Sequence, residues 1–119
     1  MKTTHLLKVL HLSLPDNLLQ KQDAILIANM IEKNPPLRIL NLHGNCFDYQ
    51  CGKLFGAALF KNDQLKSLDL STNRLGDQGV QNLLFPLLED GLKDKGKLSR
   101  VNIAGVRALA DAAQKKSHF

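Results

Sequence analysis

The feature that most limits what this chain can fold into is a self-match at one fixed spacing. Leu37, Leu40, Leu42, Asn45, Phe47, Cys51, Phe55 and Leu59 reappear 28 residues later as Leu65, Leu68, Leu70, Asn73, Leu75, Gly79, Leu83 and Leu87. Such a period implies one supersecondary unit stacked on its copies, since a unit of this size cannot bury its apolar face alone. Within LxxLxL the last two leucines lie on one side of a strand, and the residues between them on the other. Phe55 with Leu59, and Leu83 with Leu87, are four apart and form the inward stripe of a helix that returns the chain antiparallel to the strand. Asn45 and Asn73 follow the strands, where a short amide can satisfy backbone groups of its own turn and of the neighbouring turn.

Degenerate copies are expected on both flanks. Upstream, Leu7, Leu10 and Leu12 match the strand leucines at an offset of 30, with Pro15 in the asparagine slot, while Ile27 and Ile31 match the helix positions at 28. The first turn would then hold two extra residues. Downstream, Leu98, Val101 and Ile103 match at an offset of 33, with Val106 in the asparagine slot and alanines at 108 and 112. The expected organisation is one domain over 1–119, with a degenerate repeat at 5–36, repeats at 37–64 and 65–97, and a degenerate capping repeat at 98–119. Strands are expected near 8–12, 38–42, 66–70 and 100–103, and helices near 20–33, 49–61, 77–94 and 106–116. Asn34, Pro35 and Pro36 should stop the first helix, and Pro86 should kink or split the third near Asn82. Asp48 and Asp77 stand where helix N-caps are needed. Met1 and the worn last copy suggest a true start and end.

The pattern in LRILNLHGNCF and LKSLDLSTNRL, with NRLGDQGVQNLL following, resembles the leucine-rich repeat and, by its period, the ribonuclease-inhibitor subclass. The resemblance implies an α/β fold: a short right-handed leucine-rich-repeat solenoid, an arc with a parallel β-sheet on the concave face and α-helices on the convex face. It also implies protein binding, since repeats of this type mostly bind proteins. Related domains occur in actin-capping tropomodulins, innate-immune receptors, Ran GTPase activators and effectors of intracellular bacteria. Actin or a small GTPase are therefore family-level partner candidates, and a bacterial effector acting in a host cytoplasm is one form of the reading.

Composition narrows the class further. Hydrophobic residues at 44% and charged residues at 23% are ordinary globular usage, and the low aromatic content predicts an aliphatic core. The net charge of +5 gathers toward the C-terminus, at Lys93, Lys95, Lys97, Arg100, Arg107, Lys115 and Lys116. Asp90, Asp94 and Asp111 dilute that cluster and no aromatics interleave it, so it reads as a solvated face, with no nucleic acid or membrane partner. Cys46 and Cys51 are too few for a disulfide framework or a zinc cluster, Cys51 reads as a small buried hydrophobe, and a cytoplasmic setting fits. His5, Lys8 and His11 interrupt the apolar N-terminal run, which reads as a strand and not as a signal peptide. No apolar run approaches a bilayer span, and no NxS or NxT acceptor is present.

Registering the leucines places a grid on the concave face: Val9, His11 and Ser13; Ile39, Asn41 and His43; Ser67, Asp69 and Ser71; Arg100, Asn102 and Ala104. Its middle row reads His11, Asn41, Asp69, Asn102, which is polar and therefore wet. His43, Ser71 and Asp69 fall together, so a serine hydrolase must be weighed. Asp69 and His43 would be diagonal neighbours about 7 to 8 Å apart, too far for an orienting hydrogen bond, and no strained elbow presents the serine. His11, His43 and Asp69 on an open sheet do not suit closed tetrahedral metal binding. The segment GNCFDYQCG lacks the order of a phosphate loop. A GTPase-activating arginine could only be Arg74 or Arg100, and Arg74 reads as an exposed turn residue. The sequence thus points to a non-enzymatic module without metal or cofactor, binding a protein through the concave face. The alternative is an assembly unit, a homodimer paired through the edge strand near Lys8 to Leu12.

Overall fold

The computed structural model describes residues 10–91 and 102–104. Three turns of chain each run from a strand through a tight turn into a helix. Strands β1 (His11–Ser13), β2 (Ile39–Asn41), β3 (Ser67–Asp69) and β4 (Asn102–Ala104) form one parallel sheet in sequence order. Helices α1 (Lys21–Glu32), α2 (Tyr49–Lys61) and α3 (Gly76–Gly91) connect the first three strands and follow the third. The expected helix at 106–116, and Lys8, Val9 and Arg100, lie outside the described residues.

The core is where the strand leucines meet the helix stripes. Leu40, Leu42, Phe47, Phe55, Leu59, Leu68 and Leu83 have no accessible surface. Each side chain so buried stabilises the fold by roughly 1.5 to 3 kcal/mol of transfer free energy. Phe47 meets Phe55 edge-on, with ring centroids 5.2 Å apart and planes at 86°. The helices also touch backbone to backbone. A Cβ on Gly52 would overlap the carbonyl oxygen of Gly79, and one on Gly56 would overlap those of Leu83 and Asn82. Bare glycines on α2 thus set the distance to α3.

The parallel register corrects the outer strands. His11, Ile39, Ser67 and Asn102 form one row, and Ser13, Asn41, Asp69 and Ala104 the next. Leu12 lies beside Leu40 at an offset of 28, not 30, and Ile103 beside Leu68 at 35, not 33. The first turn therefore carries no insertion, and Asn17, not Pro15, stands one period before Asn45. The physical reason is that LHLSLPDN offers its LxL pair at 10 and 12 or at 12 and 14, and leucine spacing alone cannot choose. The turn chooses. Asp16, Gly44 and Thr72, one period apart, all adopt left-handed backbone with φ of 54°, 72° and 55°. The Asp16 amide donates to the His43 carbonyl at 2.9 Å, and the Gly44 amide to that of Ser71 at 2.9 Å.

Helix ends follow local chemistry. The Asp48 carboxylate accepts from the Gln50 amide at 3.0 Å and caps α2. At α1 the Asp23 carboxylate accepts from the Gln20 amide at 2.8 Å. Asn34, at φ 58°, ends α1 ahead of Pro35. Asp77 stands in the first turn of α3, which begins at Gly76, and there the helix dipole favours its carboxylate. Pro86 does not split α3, which runs from Gly76 to Gly91 as one element. The proline removes the amide that would bond the Asn82 carbonyl, but the helix is held there by its close packing on Gly56.

Candidate functional site

One side of the sheet is closed by the leucines and helices, and the other is open. On the open side the C-terminal ends of the strands carry a continuous polar network. The Asn41 amide nitrogen donates to Ser13 Oγ at 3.2 Å, while its Oδ1 accepts from the His43 backbone at 3.0 Å. One period on, Asp69 Oδ1 accepts from the Ser71 backbone at 2.9 Å and from Ser71 Oγ at 2.5 Å. His43 Nδ1 lies 2.6 Å from Ser71 Oγ. Because that hydroxyl spends its proton on Asp69, it accepts from His43, whose Nδ1 carries the hydrogen. His43, Ser71 and Asp69 are thus joined more closely than a flat diagonal allows, through the serine in the middle. A hydrolytic triad needs the histidine in the middle, between carboxylate and serine. In the observed order the serine proton points away from the imidazole, so His43 is not placed as its base.

Of the remaining grid positions, His11, Ile39 and Ser67 form the row nearer the strand starts, and their side chains make no hydrogen bond among the described residues. Asn102 and Ala104 stand on β4 beside Ser67 and Asp69. Two exposed cations missed by pattern reading, Arg38 and Lys66, stand one period apart just ahead of β2 and β3. The offset of 28 that aligns the leucines would have found them. Arg74 is exposed, and its backbone amide donates to the Phe47 carbonyl at 2.8 Å.

Beneath the open face, asparagines tie each turn to the next. Asn45 accepts from the Asn17 and Leu19 amides at 2.9 and 3.1 Å and donates to the carbonyls of Leu14 and Leu42 at 2.9 and 3.0 Å. Asn73 accepts from Phe47 at 3.1 Å and donates to Leu42 and Leu70 at 2.9 and 3.1 Å. At the opposite ends of the strands, buried Asn62 accepts from the Gln64 and Leu65 amides at 2.8 Å each and donates to the Ile31 carbonyl at 2.9 Å. The loops that frame the open face are therefore held at both ends.

Cys51 is fully buried, and burial pushes its thiol up to about 11, with the nearby Asp48 charge adding to the rise. It stays protonated, which suits a core residue and not a ligand or nucleophile. Cys46 is half-exposed, and both thiols are free. Among the described residues, no group of three or more His, Cys, Asp or Glu side chains is placed to hold a metal ion, and no helix is long and apolar enough to cross a membrane.

No protein-family model matches the chain. It is 36% identical over 86 residues to the NACHT, LRR and PYD domains-containing protein 5 of Bos taurus, a match that takes in 71% of this chain. The chain spans 7% of that protein's length. Similarity to a protein named for leucine-rich repeats accords with repeat content of that kind and with a role in protein interaction.

Proposed function

We propose that this chain is a protein-binding segment of ribonuclease-inhibitor-type leucine-rich repeats, an α/β arc that engages its partner through the open sheet face and the loops beside it. The observation that carries this reading is the contrast across the sheet, where polar side chains stand pre-ordered on one side while aliphatics fill the other. A face held in place before association loses little conformational freedom on binding, which favours recognition. The reading is non-enzymatic and needs no metal or cofactor. Two free thiols support a reducing, cytoplasmic setting. Its finer form, a bacterial effector or a regulator that engages actin or a small GTPase, rests on the family resemblance.

The test is a pull-down comparing the wild type with Asn41→Arg plus Asp69→Arg, two neighbours across β2 and β3, after circular dichroism shows both folded. Recovery of a partner by the wild type alone is expected. Equal recovery by both would move the site off the sheet.

A second reading, self-association at the β1 end, is favoured by one observation. Leu26 on α1 is 67% exposed, whereas Leu54, its equivalent one period later on α2, is half-buried. Sedimentation across a concentration series, with Leu26→Asp as control, separates this reading from the first.

A further inference from the structure

The repeat shows which side of each helix meets the helix before it. On α2 this side is the stripe Cys51, Leu54, Ala58 and Lys61, whose spacing of alternate threes and fours keeps one face of a helix. Cys51 and Ala58 are fully buried, Leu54 is half-buried, and Lys61 Nζ reaches back to Glu32 Oε1 on α1 at 3.1 Å. On α3 a Cβ at Gly79, the slot of Cys51, would lie 3.0 Å from the Tyr49 Cα of α2. One period earlier the same slots on α1 hold Asp23, Leu26, Met30 and Lys33. Their stripe therefore looks away from α2, and no described helix lies beyond it. Leu26 is 67% exposed, Lys33 is exposed, and Asp23 and Met30 are half-buried. The Asp23 carboxylate accepts from the Gln20 amide at 2.8 Å, and neither it nor Lys33 forms an ion pair among the described residues.

This stripe is symmetric about its middle. Asp23 and Lys33 stand equally far on either side of Ala28, and so do Leu26 and Met30. A second α1 laid antiparallel on the first sets Asp23 opposite Lys33 at both ends and Leu26 opposite Met30 between them. A two-fold contact requires this reciprocity, in which residue i meets j and j meets i. A further repeat stacked in the parallel sense fits less well. In the close seams the slot of Asp23 holds Cys51 and Gly79, both buried, and a carboxylate there would lose its water.

We infer that two copies of this chain pair through α1 about a two-fold axis, antiparallel, with Asp23 of each copy against Lys33 of the other and Leu26 against Met30. The inference rests on the self-association reading above and adds its surface, its symmetry and its register. The apolar pairs supply the affinity. The charges fix the direction, since a parallel arrangement would set Asp23 on Asp23 and Lys33 on Lys33.

Sedimentation velocity of the full chain across a concentration series tests this, each variant first being shown folded by circular dichroism. The wild type should exchange between monomer and dimer. Leu26→Asp should raise the dissociation constant by at least about tenfold. Asp23→Lys and Lys33→Glu should each raise it by about tenfold, because either one turns two attractive pairs into repulsive ones. An equimolar mixture of those two variants should return to within about threefold of the wild type, since each then supplies the charge that the other needs. If Asp23→Lys does not fold, Asp23→Asn within the Lys33→Glu chain keeps the capping oxygen, removes the repulsion and should regain about threefold in affinity. A dimer indifferent to all of these substitutions would overturn the inference and leave self-association standing at another surface. Weakening by the single variants without recovery in the mixture, or in the Asp23→Asn chain that replaces it, would overturn the antiparallel register and the inference with it. A wild type that sediments as a monomer throughout would overturn both this inference and the self-association reading, and the sheet-face reading would still be judged by its own pull-down.

Discussion

Leu40 and Ile39 are adjacent in β2, yet they belong to opposite sides of the protein. Leu40 and its row partners Leu12 and Leu68 face the helices, and Leu40 has no accessible surface. Ile39 stands in a row with His11, Ser67 and Asn102, four side chains of four kinds. On the closed side every copy must fit the same gap between sheet and helix, so size and polarity repeat. On the open side no helix among the described residues packs, and the backbone period imposes no residue type. Regularity therefore reports stability, and departure from it marks where recognition can be written.

The comparison breaks first where two backbones touch. Gly52→Val on α2 would push side-chain atoms into the Gly79 carbonyl, and the expected outcome is loss of the cooperative thermal transition. A variant melting like the wild type would show that α2 and α3 can part without cost. Next comes the direct contrast within β2. Leu40→Ala should cost about 3 kcal/mol in urea unfolding, because a cavity opens in packed core. Ile39→Ala should cost under about 1 kcal/mol, since much of that side chain already meets water. Similar costs would mean that the open face is covered.

Asn45→Ala tests the seam between the two sides. It strips partners from two amides and two carbonyls near the core, and a loss of about 2 to 3 kcal/mol is expected. Alkaline pH probes the closed side alone. Since the Cys51 thiol titrates near 11 in the fold and near 9.0 in the unfolded chain, the unfolded state releases its proton first. Its stabilising contribution is complete below pH 9 and is lost as pH rises toward 11, on the order of 2 kcal/mol in all. Cys51→Ala should flatten that part of a stability-against-pH curve, and in the native wild type a thiol reagent should label Cys46 well before Cys51. The smallest effect belongs to the open side: Ser71→Ala removes a bridge between two half-exposed groups and should change stability by under about 1 kcal/mol.

Some of the site could be read before any coordinates. The LxxLxL spacing was enough to separate Asn41 and His43 from Leu40 and Leu42, and the repeat of 28 brought Asp69 and Ser71 beside them. What could not be read was which partner each would choose. Whether Ser71 lies between His43 and Asp69 depends on tenths of an ångström in side-chain placement, and the flat-sheet spacing pointed to separation. Arg38 and Lys66 carry no signal in the leucine pattern because charged residues at loop edges are common, and their shared slot and exposure set them apart.

The sequence by itself determined the period, the side of each inner strand that is buried, and the place of the asparagines past the strands, because these follow from alternation along a strand and from side chains that recur at one spacing. Tertiary structure alone decided the register of the outer strands. LHLSLPDN satisfies the leucine pattern at two positions two residues apart, and a shift of two keeps every side chain on its own side of the sheet. The left-handed turn at Asp16, its amide bond to the His43 carbonyl, and the bonds from Asn45 to the Asn17 and Leu19 amides and to the Leu14 carbonyl, which span 26 to 31 residues of chain, remove that degeneracy.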